Sequence, residues 1–242
     1  MTQITSPNNP RLKELRKLSR SRERSRTGLF AAEGEDLVHA AQLAGRPAVE
    51  GFRAYGVDVG EPAFHEVDPN TLASVSTLGS GTRAIGVYRQ RWGVPQGPLC
   101  VYLHGVGDPG NVGTILRGAL AFGASCVAFG PDCADPHSPK AVRAGMGAIF
   151  AIAIAHVSEV SELPGERVAL VAHAGEPLER LAIRGPFSLL VGAERDGLPD
   201  EMVAACEHIA HIPIASESLN AAMAATVALY ETTRGSTRVP AS

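Results

Sequence analysis

Three clusters of polar residues interrupt the apolar second half of this 242-residue chain, and each is of a kind that can hold a ligand. The run from Asn111 to Arg117 sets an arginine nearly two turns into an otherwise apolar helix, which its guanidinium can leave along one face only. Gly192-Ala193-Glu194-Arg195-Asp196-Gly197-Leu198 follows an apolar strand. A glycine-flanked charged stretch, here Glu194-Arg195-Asp196, at a strand's carboxyl end forms the sort of turn at which α/β folds bind ligands. The stretch from Ile212 to Glu231 opens on a proline turn and gathers Ser216, Ser218 and Asn220 at a helix start. It continues as an alanine-rich helix with Met223, Val227 and Tyr230 at helical spacing. Helix-start N–H groups lack intrahelical partners, so such a cluster either caps itself or receives a polar ligand. The plainer readings are a structural ion pair for Arg117 and simple capping for Ser216 and Ser218.

Other chemistries are on offer. His104-Gly105-Val106-Gly107-Asp108-Pro109-Gly110 satisfies G-x-G-x-x-G between a strand and a helix, with Asp132 past the next strand, as in a dinucleotide site. Pro109 precedes the third glycine, and a helix beginning at Asn111 would leave that glycine outside the helix start. A NAD-binding enzyme using Gly105, Gly107 and Gly110 stays as an alternative. Cys206-Glu207-His208-Ile209-Ala210-His211 supplies too few ligands for a structural zinc, which takes four, and no metal is expected. His104 and His173, at strand ends, read as hydrogen-bonded structural residues. Cys100, Cys126, Cys133 and Cys206 form no CxxC pair and sit in mostly apolar surroundings, as buried reduced thiols do.

The elements that must position these residues follow from apolar patterning. Runs at 99–103, 126–129, 149–154, 168–172 and 187–191 lack polar alternation, as expected for strands buried on both faces of a parallel sheet. Helices at 112–122, 138–146, 199–205 and 219–233 alternate with them, which makes a three-layer α/β domain. Upstream, Asn9-Pro10 starts a helix whose Leu12, Leu15 and Leu18 point inward. Residues 19–28, where Ser and Arg alternate, read as a flexible basic loop. Strands at 29–32, 49–55, 63–67 and 84–89, a helix at 35–44 closed by Gly45, and a short helix after Asp68-Pro69 complete a smaller α/β unit. The expected division is 1–92, a Gly/Pro linker at 93–98, and 99–242.

Hydrophobic residues at 45% and charged residues at 19% suit a soluble globular protein, and no apolar run is long enough to span a bilayer. Residues 1–26 are polar and basic without a signal-peptide core, so a cytoplasmic location is expected. The net charge of −3 conceals an asymmetry. Between Arg11 and Arg26, eight basic residues (Arg11, Lys13, Arg16, Lys17, Arg20, Arg22, Arg24, Arg26) face only Glu14 and Glu23, and the remainder is acidic. A positive arm on an acidic body suggests a polyanionic partner, the alternative being a solvated helix face.

In order, Asn111…Arg117, Gly192-x-Glu194-x-x-Gly197-Leu198 and Ile212-Pro213…Ser218-Leu219-Asn220…Tyr230-Glu231 resemble the three motifs of the SpoU (TrmH-like) RNA ribose 2′-O-methyltransferases of the SPOUT superfamily. The stretch from Ser138 to Ala148 resembles the family's segment between the first two motifs. Ser6-Pro7-Asn8-Asn9-Pro10-Arg11-Leu12-Lys13, with the run from Gly28 to Gly34, resembles the L30e-like RNA-binding domain that precedes the methyltransferase domain in many members. Nearly the whole chain is covered. It departs from the pattern at Asn220-Ala221-Ala222, where Asn-Val-Ser is usual, at Gly145, where Ser is common, and at Thr82-Arg83-Ala84, in place of Pro-Gln-Gly.

The resemblance implies an α/β fold threaded into a trefoil knot, against the general rule for chain connections, and a homodimer. It implies S-adenosylmethionine held in a bent shape around Ala172, Gly192, Ile212 and Leu219. The partner it implies is RNA, above all 23S ribosomal RNA, with no DNA and no membrane. Arg11, Lys13, Arg22, Arg24 and Arg26 are the basic contacts expected to meet that RNA. Arg117 takes the family's key catalytic position, with Asn111, Glu194, Ser218 and Asn220 positioning it and the ribose. A sulfonium is already an activated methyl donor, so the protein must mainly align oxygen, methyl carbon and sulfur. A guanidinium, with a pKa above about 12, is a poor base and a good clamp for phosphate or developing alkoxide charge. A catalytically silent RNA-binding protein on the same scaffold is the remaining alternative, against which the intact Asn111, Arg117, Glu194 and Asn220 speak.

Overall fold

Four helices of this protein start the same way, with a short polar side chain accepting a free N–H and a proline following it. In the computed structural model, which describes residues 3–77, 81–183 and 185–234, Asn9, Asp68, Asp108 and Ser138 accept from the backbone N–H groups of Arg11, Thr71, Asn111 and Ala141. The proline costs no hydrogen bond, because the N–H it lacks is unpaired in any helix.

Helix α1 (Pro10–Lys17) buries Leu12 and Leu15. Helix α2 (Ser21–Thr27) occupies the stretch expected to be a flexible loop. It has no apolar stripe. Arg24 holds it instead, turned inward at 3% exposure and donating to the carbonyls of Leu18 and Ser19, and Gly28 ends it in the left-handed conformation. Strand β1 (Leu29–Glu33), helix α3 (Glu35–Leu43), strands β2 (Glu50–Ala54) and β3 (His65–Val67), helix α4 (Pro69–Ala73) and strand β4 (Ala84–Arg89) follow. They form a sheet in the order β1-β4-β2-β3, antiparallel except where β2 meets β3. Leu12, Leu15, Leu18, Phe52, Val67, Leu72 and Ile85 share one core beneath it.

The chain continues through β5 (Leu99–Leu103), α5 (Pro109–Ala121), β6 (Cys126–Phe129), α6 (Pro139–Ala144), α7 (Ala148–Ala151), β7 (Ala153–His156), β8 (Glu166–Val171), β9 (Glu176–Pro177), β10 (Phe187–Val191), α8 (Asp200–Ala204), β11 (His208–His211) and α9 (Ala221–Thr233). Seven strands make a parallel sheet in the order β7-β6-β5-β10-β8-β11-β9. Strands β5, β6 and β10 are buried at every residue, which is what a parallel sheet covered on both faces requires.

Three expectations need correction. The run at 149–154 is not one strand: its first half lies in α7, where Phe150 packs on the rings of Phe30 and Tyr88, and β7 begins only at Ala153. Helix α5 starts at Pro109 under an Asp108 cap, so Asn111 is inside the first turn and is not the cap. Strands β9 and β11 carry no apolar run and come into the sheet through β8 and each other. Cys100 and Cys126 are buried on adjacent strands as expected, while Cys133 and Cys206 are only half-buried; all four are free thiols.

The chain divides into two units. One comprises the residues up to Arg91 together with Asp135–Ala151, and the other comprises Trp92–Ala134 together with the chain from Ile152 onward. The first break falls between Arg91 and Trp92, before the stretch 93–98 read as a linker. The transfer of Asp135–Ala151 to the first unit departs from a continuous domain over 99–242. Its basis is an ion pair between Arg24 and Asp135 (2.7 Å) and the packing of Phe30 against His137 and Phe150. Among the described residues, no helix is long and apolar enough to cross a membrane.

Candidate cofactor and catalytic site

The carboxyl ends of β8, β10 and β11 bring Ala172, Gly192 and Ile212 to one cleft of about 460 Å³, which Leu219, Glu194 and Ser218 also line. The turn after β10 doubles back tightly. Ala193 and Gly197 exchange backbone hydrogen bonds of 3.2 and 3.0 Å, with Gly197 at φ 68. No side chain fits at position 192, because a Cβ there would lie 2.2 Å from the carbonyl carbon of Gly197. The wall of the cleft at that point is therefore bare backbone.

Beside the cleft, three side chains from the three polar clusters form a hydrogen-bonded relay. The Asn111 amide nitrogen donates to Glu194 Oε1, and the Asn220 amide nitrogen donates to Asn111 Oδ1 at 3.0 Å. Asn220 Oδ1 accepts from the N–H groups of Ala222 and Met223, at 2.9 and 3.3 Å, and so caps α9. Chemistry at both ends fixes the direction of this relay. A carboxylate only accepts and a helix start only donates, so each asparagine must turn its NH₂ toward Glu194 and its oxygen toward α9. Asp108 holds the backbone N–H of Asn111 at 3.0 Å, a role that Asp-Pro, the same pair that starts α4, signals in the sequence.

Arg117 is exposed on α5 and is hydrogen-bonded to none of these residues. Ser218 is exposed at the rim of the cleft, its carbonyl accepting from the Ser216 hydroxyl at 3.4 Å. Ala222 is buried with its N–H satisfied by Asn220, so the missing hydroxyl at that position leaves no donor unpaired there. His104 meets the Tyr102 hydroxyl through Nδ1 at 3.2 Å, whereas His173 is exposed. His208 lies 2.9 Å from Glu166. Among the described residues, no group of His, Cys, Asp and Glu side chains could hold a metal ion. Gly110 does lie in the first turn of α5, contrary to the expected helix start, but Gly105, Gly107 and Gly110 do not line the cleft.

The basic residues separate into different roles. Arg11 pairs with Glu50 at 2.5 Å and Arg26 with Glu23 at 2.8 Å. Arg24 is buried against Asp135 and is unavailable to a partner, which removes it from the expected RNA contacts. Lys13 and Arg22 are exposed and have no ion-pair partner among the described residues.

A parallel sheet with a ligand-sized cleft at the carboxyl ends of its strands, a backbone wall and a few convergent polar groups defines an α/β enzyme domain. Residues 98–230 match the SpoU rRNA Methylase family, and the chain belongs to that family of methyltransferases. The 23S rRNA (guanosine(2553)-2′-O)-methyltransferase RlmP of Bacillus subtilis is 28% identical over 257 residues, covering 95% of this chain and 98% of its own length. An AdoMet-bound rRNA methyltransferase from Sinorhizobium meliloti superposes with a TM-score of 0.87 at 31% identity, over 98% of this chain and 99% of that one. The SpoU methyltransferase AviRb from Streptomyces viridochromogenes, crystallised with AdoMet, superposes with a TM-score of 0.83 at 25% identity, over 94% and 98%.

Proposed function

We propose that this protein transfers a methyl group from S-adenosylmethionine to a ribose 2′-hydroxyl of RNA, with 23S ribosomal RNA as substrate, and that it works as a cytoplasmic homodimer. The observation that carries the reading is the relay Glu194–Asn111–Asn220, which ties all three polar clusters together at the edge of the cleft. The cleft suits S-adenosylmethionine because its wall at Gly192 is backbone, at a position where no side chain fits against Gly197. When bound there, the cofactor supplies an electrophilic methyl carbon. Backbone groups near Gly192, Ile212 and Leu219 hold it, with Ala172 at the rim. Glu194, Asn111 and Asn220 keep the loops around the reacting atoms at fixed spacing, and Ser218 faces the ribose. Arg117 clamps an RNA phosphate and stabilises charge developing on the 2′-oxygen.

In the same reading the first unit is an L30e-like RNA-binding domain and the second is knotted. A second copy docks on the apolar stripe of α9, where Met223, Val227 and Tyr230 are 57%, 41% and 55% exposed. The test is transfer of labelled methyl to 23S ribosomal RNA by wild type and Arg117→Ala, each checked for S-adenosylmethionine affinity. Arg117→Ala is expected to bind the cofactor normally and to lose about 100-fold or more in transfer, as loss of a charge-stabilising donor does. Equal rates would remove Arg117 from the mechanism. A wild type that fails to bind S-adenosylmethionine would overturn the assignment.

A further inference from the structure

The first unit carries a cleft of about 510 Å³ that the methyl-transfer site does not use. Lys13, Arg16, Lys17 and Arg20 line it at spacing i, i+3, i+4 and i+7, so one side of α1 and of the turn after it is basic while Leu12, Leu15 and Leu18 are buried. Two of these cations already have partners. Arg16 donates to the Pro7 carbonyl (2.7 Å) and the Ser74 hydroxyl (3.3 Å), and Lys17 pairs with Glu14 (2.6 Å). Lys13 and Arg20 are exposed and have no ion-pair partner among the described residues. The one acid in the lining, Glu33, is occupied: its carboxylate accepts from the Ser76 hydroxyl (2.7 Å) and from the N–H and hydroxyl of Thr77 (2.9 and 2.6 Å).

The hydroxyls of the cleft are oriented as well. Ser19 donates to the Arg16 carbonyl at 2.9 Å and Thr77 to Glu33, so both present oxygen lone pairs, not hydrogens, to an incoming ligand. Cations that lack acids suit a run of phosphates, and hydroxyl acceptors suit a sugar that brings its own O–H. The group that does so, and that distinguishes RNA from DNA, is the ribose 2′-hydroxyl.

We infer that this cleft grips a single-stranded stretch of RNA by its sugar–phosphate backbone, with Lys13 and Arg20 as phosphate contacts and Ser19 and Thr77 as acceptors for 2′-hydroxyls. Arg22 and Arg26 do not line it, and Arg26 is engaged by Glu23. The inference rests on RNA being the substrate, and it moves the main contact of the basic segment from the arginines of α2 to the face of α1.

The test uses the full chain, a short unstructured RNA oligonucleotide and the DNA of the same sequence, with affinity measured across a salt series. The double variant Lys13→Gln/Arg20→Gln is expected to bind the RNA more weakly, with a plot of log affinity against log salt shallower by about 1.4, at about 0.7 per phosphate contact to a single strand. Its unfolding temperature and S-adenosylmethionine affinity should match wild type. Arg22→Gln/Arg26→Gln should keep the wild-type slope, and the DNA should bind more weakly than the RNA. An unchanged slope for the cleft variant, or the loss appearing in the Arg22/Arg26 variant, would overturn the cleft while leaving methyl transfer untouched. Equal affinity for DNA would overturn the 2′-hydroxyl contacts. A cleft variant that loses slope, beside a wild type that transfers no methyl group, would uphold the cleft and overturn the methyl-transfer reading.

Discussion

Replacing Asn220 by aspartate separates the two roles of that side chain. Its oxygen caps α9 through Ala222 and Met223, and its nitrogen donates to Asn111 at 3.0 Å. Asn220→Ala removes both. Loss of the cap alone is worth about 1 kcal/mol, and at this chain length each kcal/mol lowers the unfolding temperature by about 2–4 °C. Asn220→Asp keeps the acceptor for α9 and adds a negative charge at a helix start, a gain of about 0.3–1 kcal/mol. That gain offsets most of the exposed hydrogen bond it gives up, worth about 1 kcal/mol. The aspartate has no donor for Asn111, however. If Asn111 turned its amide over to supply one, its own oxygen would face the Glu194 carboxylate, so one link must fail in either arrangement. Thermal unfolding should therefore rank wild type and Asn220→Asp together, with Asn220→Ala below. Methyl transfer to ribosomal RNA at saturating cofactor should fall about 100-fold in both variants, the loss expected when reacting groups shift by about 1 Å. If Asn220→Asp transfers methyl groups at the wild-type rate, the relay is a capping arrangement and nothing more.

Gly192→Ala places a Cβ 2.2 Å from the Gly197 backbone, so calorimetry should show S-adenosylmethionine affinity reduced at least tenfold while the first unit unfolds as before. Arg24→Ala strips a side chain that is 4% exposed from its ion pair with Asp135, and urea unfolding should register a loss of about 3 kcal/mol, the lower end for breaking a buried pair. Burial alone would raise the Asp135 carboxyl, yet hydrogen bonds from His137 and then Arg24 outweigh it and hold it at about 2, against an ordinary 3.8. Since the folded value is the lower one, this contribution of about 2 kcal/mol is fully present above pH 3.8 and is lost as pH falls through 2. Acid titration of Asp135→Asn, monitored by circular dichroism, should show a flatter loss of stability across that window, and an unchanged profile would refute the assignment.

Much of this fold can be read locally. Asn9-Pro10, Asp68-Pro69 and Ser138-Pro139 mark helix starts because cap and proline act within one turn, and β4, β5, β6 and β10 match their apolar runs to the residue. Asp108-Pro109 belongs to the same set, but a second good cap three residues on, Asn111, draws the expected start too far along. What local reading misses depends on distant partners. The Ser/Arg stretch of α2 looks unstructured because the carboxylate that draws Arg24 inward lies 111 residues away. Charge counting finds the cations but not their direction, so Arg22, Arg24 and Arg26 look equivalent when one is exposed, one buried and one paired. At the site, the residue types at 111, 194 and 220 are legible as polar clusters, whereas the bonds among them require sheet and helices to be in place.

The return of Asp135–Ala151 to the first unit has a consequence for the order of assembly. A domain at the start of a chain usually folds as soon as it leaves the ribosome. Here Phe30 and Tyr88 wait for Phe150, and Arg24 waits for Asp135, so the first unit is not complete until both of the second unit's first two strands have also been made. Until that segment is synthesised, the nascent protein carries Arg24 without its carboxylate and the Phe30 and Tyr88 rings without Phe150, and it is in that interval that chaperones have most to hold.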